Sequence, residues 1–420
     1  MEFAQEIYCA MNILFYASVV MKLKIGNPAT GSDFFPRESV RNRLLRSLAR
    51  DHVAFVGPRR TGKTSILKNI AQDPPAGTGA VFLDLEKFST VPEWLSALLE
   101  PTKALITGSE KSGWFADSGR TAKALLARIE KLEIFGNGIT LTPNRSNPEA
   151  WRPLADEFQK LLHDADLPIY FLLDEFPWYL GHLARKHTAD EVEAVLNWFR
   201  SARQDLAGGK TRFLVTGSIG LEGLLRRIGL SPTANDFDTI EIPPLTDEEA
   251  LDFLMRLSKD EEIPLTETAG RRILNLMGAN WPILLELFMS ELQDKELKKS
   301  PTMPEIKELY EVRMVRGSRN KYCQEMFNRL SKDELFSPTE RRIAFETLKL
   351  LTSKAVVGGS DLEILHSKIV PDEKVRSMTG DEVGFVIDTL RHDGYLLRRA
   401  DGQYQFASNI LRDYWIHRIA

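Results

Sequence analysis

The reading of this chain turns on His52-Val-Ala-Phe-Val-Gly57-Pro58-Arg59-Arg60-Thr61-Gly62-Lys63-Thr64-Ser65. A short apolar run from His52 reaches Gly57, and a helix-forming segment opens at Lys63 and continues through Ile66, Leu67, Ile70 and Ala71. The run reads as a buried strand, so a tight Gly-rich loop joins a strand to a helix. The loop fits G-x-x-x-x-G-K-[ST], with Gly57 and Gly62 as its glycines. Glycines let successive backbone N–H groups wrap a phosphate, and the helix start presents its positive dipole end to the same anion. Pro58, Arg59, Arg60, Thr61 and Ser65 complete the cradle. Lys63 is placed to reach the β- and γ-phosphates of a nucleotide, and the Thr64 hydroxyl to ligate Mg2+. An ordinary Gly-rich turn is the alternative, but it does not require a strand before it and a helix after it.

Outward from the loop, Ile169-Tyr-Phe-Leu-Leu-Asp174-Glu175 is the most apolar run of the chain. A strand ending in Asp-Glu sets Asp174 at the C-terminal edge of a sheet, beside the phosphates, where it orients Mg2+ through a water. Glu175 is then placed to align and deprotonate an attacking water. The competing reading is an ordinary strand end with solvated acids. A third run, 212–216, ends in Gly217-Ser218. Ser218, with Thr216 second, is the candidate to hydrogen-bond a γ-phosphate or the lytic water; a plain helix N-cap is the other reading. Arg226 and Arg227 close the short helix that follows. They read either as an arginine finger across a subunit contact or as a basic helix end favoured by the dipole.

Strands are expected over 52–56, 80–84, 133–141, 169–174, 212–216 and 239–242. Helices are expected over 63–71, 91–105, 121–131, 151–164, 189–206 and 221–228. This alternation specifies an α/β class with a mostly parallel, doubly wound sheet. After Pro243-Pro244 the strand signals stop, and helices over 247–258, 266–277 and 282–297 form a small helical lid. A charged, Pro-punctuated stretch, 295–302, reads as a linker. Beyond it, helices over 338–352, 361–367 and 380–392 precede a hairpin of 394–399 and 403–406 about an Asp401-Gly402 turn. That is the outline of a winged helix-turn-helix. The expected domains are an N-terminal extension over 1–21, a phosphate-loop core over 22–243, the lid over 244–300 and a C-terminal helical and winged-helix domain over 301–420.

Composition narrows the class further. The 420 residues are 43% apolar and 27% charged, with 55 Lys and Arg against 59 Asp and Glu. This balance suits a globular protein and argues against a wholesale polyanion binder. Cys9 and Cys323 cannot build a disulfide framework, and the scattered histidines lack HExxH. A reducing cytoplasm is therefore expected, and metal-hydrolase chemistry is not. The one membrane-like stretch, 8–20, follows Glu2 and Glu6 rather than a basic leader. It is shorter than the roughly 20 residues of a bilayer crossing, so no membrane association is expected. The stretch reads as dispensable for the chemistry, or as an early start ahead of Met11 or Met21.

Taken together, GPRRTGKTS at 57–65, FLLDEF at 171–176, TGSIGL at 216–221 and GANWP at 278–282 resemble AAA+-type P-loop ATPases. The resemblance is closest to their archaeal-type and STAND (signal-transduction ATPase) branch, and covers about residues 22–300. It extends more loosely to the C-terminal winged helix. It implies a P-loop NTPase core in which Lys63, Thr64, Asp174 and Glu175 match the loop lysine, loop hydroxyl, Mg2+ aspartate and catalytic glutamate. Phe34-Phe35-Pro36-Arg37-Glu38 is similar to a stretch that lies near the adenine in several members. Two departures stand out. No arginine opens the third lid helix, where Gly278-Ala-Asn-Trp281-Pro282 resembles a G-x-P adenine contact and implicates Pro282. Ser231-Pro-Thr-Ala-Asn235-Asp236 stands where archaeal relatives often carry Gly-Arg, so the resemblance marks no finger.

The expected function is an ATP-binding and ATP-hydrolysing switch, with ATP, ADP and Mg2+ as ligands, a protein partner and a nucleotide-dependent homo-oligomer. The competing reading is an ATP-dependent DNA loader, or a transposition or replication regulator, acting through the winged helix. The 380–392 helix, capped by Thr379 and Glu382, carries Asp381, Glu382 and Asp388 against Arg391 alone. Residues 301–420 hold 19 Lys and Arg against 18 Asp and Glu. Such a surface is poorly matched to a phosphate backbone, so DNA is not favoured. Val383, Phe385, Val386 and Leu390 follow helical spacing and serve either the module's own core or a docking face.

Overall fold

Along the central strands, neighbouring residues enter opposite apolar cores. Val53, Phe55, Phe82, Leu172 and Leu214 join one cluster; Ala54, Val81, Leu83, Phe171 and Phe213 join the other. Side chains alternate across a strand, so a run apolar at every position must be covered on both faces. The computed structural model describes residues 20–107, 113–116, 151–163, 165–206, 209–217, 220–318, 320–330, 336–373, 376 and 382–419. Its strands are β1 (His52–Val56), β2 (Gly79–Asp84), β3 (Gly113–Ala116), β4 (Ile169–Asp174), β5 (Arg212–Thr216) and β6 (Phe237–Glu241). They form a six-stranded sheet in the order β3-β2-β4-β5-β1-β6, parallel at every pairing. The strand that enters the Gly-rich loop and the Asp-Glu strand thus flank β5.

Around the sheet lie α1 (Glu38–Leu48), α2 (Lys63–Gln72), α3 (Val91–Ile106), α4 (Arg152–His163), α5 (Phe176–Lys186), α6 (Ala189–Asp205) and α7 (Leu221–Arg227). Capping boxes at Thr90 and Thr188 start α3 and α6, each satisfying an otherwise orphaned backbone donor. The helical block that follows is α8 (Asp247–Asp260), α9 (Glu267–Met277) and α10 (Pro282–Gln293). The C-terminal module begins with α11 (Met303–Glu308), a π-helical turn at Leu309–Val315 and α12 (Lys321–Arg329). Then come α13 (Pro338–Ser353), α14 (Gly359–Ile369), α15 (Glu382–His392), the antiparallel hairpin β7 (Leu396–Arg398) and β8 (Tyr404–Phe406), and α16 (Asn409–Ile419). An antiparallel bridge from Val357 to Tyr404 sets a third segment beside the hairpin. One continuous apolar cluster joins the loop face of the sheet, α8–α10 and the C-terminal module, from Val53 through Phe253 and Leu284 to Trp415.

Several elements depart from expectation. The strand expected over 239–242 begins at Phe237, and the helix expected to reach 297 ends at Gln293. The helix α5 was not expected, because Pro177 and Gly181 look like breakers. Pro177 sits in the first turn, where its missing N–H has no partner to lose. Additions to the expected outline are α1, β3 and α16. The elements expected over 121–131 and 133–141, the cap at Thr379, residue Ser218 and the segment 8–19 lie outside the described residues.

Candidate nucleotide site

The Gly-rich loop closes on its own lysine. Gly62 caps α2 in the left-handed region, at φ 96°. Lys63 Nζ donates to the carbonyls of Gly57 and Pro58, each at 2.7 Å, and the Thr61 hydroxyl donates to Pro58 O at 2.8 Å. Burial pushes the Lys63 ammonium below its ordinary pKa, while Glu175 and Asp174 work to keep it charged. The Thr64 hydroxyl donates to Asp174 Oδ2 at 2.6 Å, across the gap between the β1 loop and the end of β4. The Asp174 carboxyl is held well above the usual carboxylate range, by burial first and then by Glu175.

Glu175 follows in a left-handed conformation, φ 55° and ψ 32°, which caps α5 and turns its side chain out of the strand. Such a conformation is strained for a non-glycine residue and is found where surrounding structure enforces it. That enforcement is visible at Gly217. A side chain there would stand 2.6 Å from Pro177 Cδ and 3.5 Å from Glu175 Oε2, so only glycine lets the tip of β5 reach the start of α5.

The donor set fits Mg2+: a hydroxyl and a buried carboxylate are hard oxygen ligands, and a cation would relieve the charge Asp174 carries in burial. Among the described residues no cluster of three or more His, Cys, Asp or Glu side chains is arranged to hold a metal by itself. Thr64 and Asp174 therefore suit an ion whose other ligands are phosphate and water. Two further acids that the motif did not mark face the same edge. Asp84 ends β2 in register with Asp174. The Glu86 carboxyl is raised by burial, then by Glu175 and Asp84, while Arg59 opposes the rise.

Beside the loop lies a cavity of about 390 Å³, lined among others by Ile25, Gly26, Asn27, Arg60, Ile283 and Leu287. Pro282 opens the helix that supplies the last two. The Phe34–Glu38 stretch packs against α8 and the loop before it. Phe35 packs edge-on against Phe253, 5.3 Å between ring centroids, and Arg37 donates to the carbonyls of Pro243 and Pro244. It clamps the junction between β6 and α8, and the chain just before it, at Ile25, Gly26 and Asn27, lines the cavity.

The C-terminal module reaches the loop directly. Glu325 on α12 binds Arg59 at 2.6 Å and Arg60 at 3.2 Å. Arg226 on α7 lies over the Phe385 ring of α15, 4.7 Å from its centroid. Phe385 thus docks on the core, while Val386 and Leu390 are fully buried in the continuous cluster. The Thr216 hydroxyl donates to Phe55 O and so belongs to the β5–β1 seam. Ser218 lies outside the described residues, as does the side chain of Arg227.

No protein-family model matches this chain, and no curated protein matches it. Solved structures do. The Walker-type ATPase PABY2304 of Pyrococcus abyssi superposes with a TM-score of 0.56 at 16% identity, over 94% of this chain and 99% of that one. The ORC2 protein of Aeropyrum pernix, as its ADPNP–ADP complexes, gives 0.47 at 12% identity, over 90% and 89%. The RuvB Holliday junction branch migration motor of Thermotoga maritima gives 0.38 at 14%, over 91% and 96%. At these identities the likeness is one of fold. With its six parallel strands, its Gly57–Thr64 loop and its Asp174-Glu175 strand end, the chain has the fold of the AAA+-type P-loop ATPases.

Proposed function

We propose that the chain binds Mg–ATP in the Gly57–Thr64 cradle, hydrolyses the γ-phosphate slowly, and uses the nucleotide state to set the position of its C-terminal module. One observation carries the reading: Lys63, Thr64, Asp174 and Glu175, separated by about 110 residues of sequence, converge at one sheet edge, where Thr64 and Asp174 are 2.6 Å apart. Backbone N–H groups of Gly57 to Ser65 hold the phosphates, with Lys63 exchanging its two loop carbonyls for phosphate oxygens. Thr64 and Asp174 would hold Mg2+, which when bound neutralises charge on the β- and γ-phosphates. Glu175 takes the proton of the attacking water, and the 390 Å³ cavity beside Arg60 accepts the nucleoside.

The module boundaries follow the same reading: an extension over 1–21, ATPase core over 22–243, lid over 244–300 and C-terminal winged-helix domain over 301–420. A STAND-like switch is favoured over a DNA loader because two of the module's candidate DNA-facing cations are already paired with acids. Arg391 pairs with Asp388 at 3.1 Å and Arg399 with Asp401 at 3.2 Å. Among the described residues no helix is long and apolar enough to cross a membrane. A cytoplasmic place, a protein partner and nucleotide-dependent self-association complete the proposal. Equilibrium titration with a fluorescent ATP analogue and Mg2+ tests the site. Lys63→Ala is expected to abolish tight binding, and binding equal to the parent's would refute the assignment.

A further inference from the structure

We propose that Arg329, on α12 of the C-terminal module, is the residue that contacts the γ-phosphate, supplied within the same chain. The inference rests on the Mg–ATP reading above and adds the group that would tell ATP from ADP. The lid offers no arginine at the start of α10, where Trp281 and Pro282 stand. The structure instead lays α12 against the phosphate loop. Glu325 grips Arg59 and Arg60, and Arg329 lies one turn further along the same helix face.

The surroundings of Arg329 are those of a phosphate-reading cation. It is 6% exposed and forms an ion pair with Asp393 at 3.3 Å, itself 1% exposed. The next residue, Gly394, has φ 81°, and a Cβ there would lie 2.4 Å from Pro58 Cγ. The Asp393-Gly394 turn is therefore pressed onto the second residue of the loop. The Tyr395 hydroxyl fixes the turn to α12 by donating to Met326 O at 2.8 Å. With Glu325 on the loop arginines and the Asp393-Gly394 turn on Pro58, the Arg329–Asp393 pair is packed beside the loop that carries Lys63. The favourable influence of Glu175 on the Arg329 charge agrees with that placement.

A guanidinium fork matches two phosphate oxygens as well as it matches a carboxylate. Asp393 pairs with one arm of the guanidinium, and a γ-phosphate entering the same spot would compete for it. ADP brings no such group. Arg329 consequently couples the third phosphate to α12, and through Asp393 to the turn that leads into β7. No second subunit is required.

The test uses full-length protein with Mg2+, titrated with ATPγS and with ADP. The variants are the paired Arg329→Met/Asp393→Asn and the single Arg329→Lys. The pair removes both charges together, so neither is left buried alone and folding is expected to persist, as a thermal melt would verify. The ATPγS-to-ADP affinity ratio is expected to fall about 10- to 100-fold in the pair, the range of a charge-assisted hydrogen bond, with ADP affinity close to the parent's. Arg329→Lys keeps Asp393 paired but loses the fork, and its ratio is expected to fall several-fold. A ratio equal to the parent's in either folded variant overturns the assignment. Absence of ATPγS and ADP binding in the parent would instead overturn the Mg–ATP reading itself.

Discussion

At the scale of single residues, burial decides which side chains report on pH. His52 opens β1 with its ring held between the Arg203 carbonyl, 3.1 Å from Nε2, and the Phe213 N–H, which donates to Nδ1 at 3.0 Å. Burial pushes its pKa down to about 4, below the ordinary 6.5. The folded state therefore prefers neutral imidazole, and its contribution is complete above pH 6.5. As pH falls from 6.5 to about 4 the unfolded chain takes up the proton first, and about 3 kcal/mol of stability is lost. Denaturant midpoints across that window should decline less steeply in His52→Gln; an unchanged slope would show that His52 is not the group responsible. The candidate site was legible unevenly at this scale. Lys63 and Thr64 follow from a spacing that only a phosphate cradle demands, and Asp174-Glu175 from an apolar strand that must end at the same edge. Glu325, Arg329 and Asp393 carry no motif. Glu325 reaches the loop across 266 residues of sequence, Asp393 lies still further along the chain, and both become visible only through ion pairs.

At the scale of elements, strands buried on both faces were the most readable, since β1, β4 and β5 carry apolar centres of three to five residues followed by a Gly or Asp close at hand. Helices whose ends contain breakers were the least. The α5 segment hides behind Pro177 and Gly181, although proline in a first turn favours a helix. The turn that replaces the expected Gly-Arg pair has its own anchor. Asp236 accepts two hydrogen bonds from Arg203, both 2.8 Å, and the guanidinium is sandwiched between Phe199 and Phe237 at 4.5 and 4.3 Å. Arg203 is 1% exposed, so removing its partner strands a buried charge. Asp236→Ala should cost about 3 kcal/mol in denaturant unfolding, at the low end for a broken buried pair because Asp236 is partly exposed. A loss under about 0.5 kcal/mol, the level of a surface substitution, would contradict this account of the anchor.

At the scale of the whole molecule, the continuous cluster from sheet to C-terminal module packs the module against the core rather than leaving it a free arm. Phe385 on α7, Glu325 on the loop arginines and Gly394 against Pro58 are among the points where it is held. With Arg391 and Arg399 paired to acids and 19 Lys and Arg against 18 Asp and Glu over 301–420, full-length protein should bind labelled duplex DNA no tighter than about 10⁻⁵ M near physiological salt. Tight binding that collapses as salt rises would favour the loader reading instead. The central claim is hydrolysis of Mg–ATP with Glu175 as the base, and phosphate release measured side by side in the parent and Glu175→Gln tests it most directly. The account predicts slow release by the parent and release slowed by about 10² to 10⁴-fold in the variant, the range of a lost general base, with ATP affinity retained. Equal release by the two proteins, or loss of binding together with turnover, would contradict it.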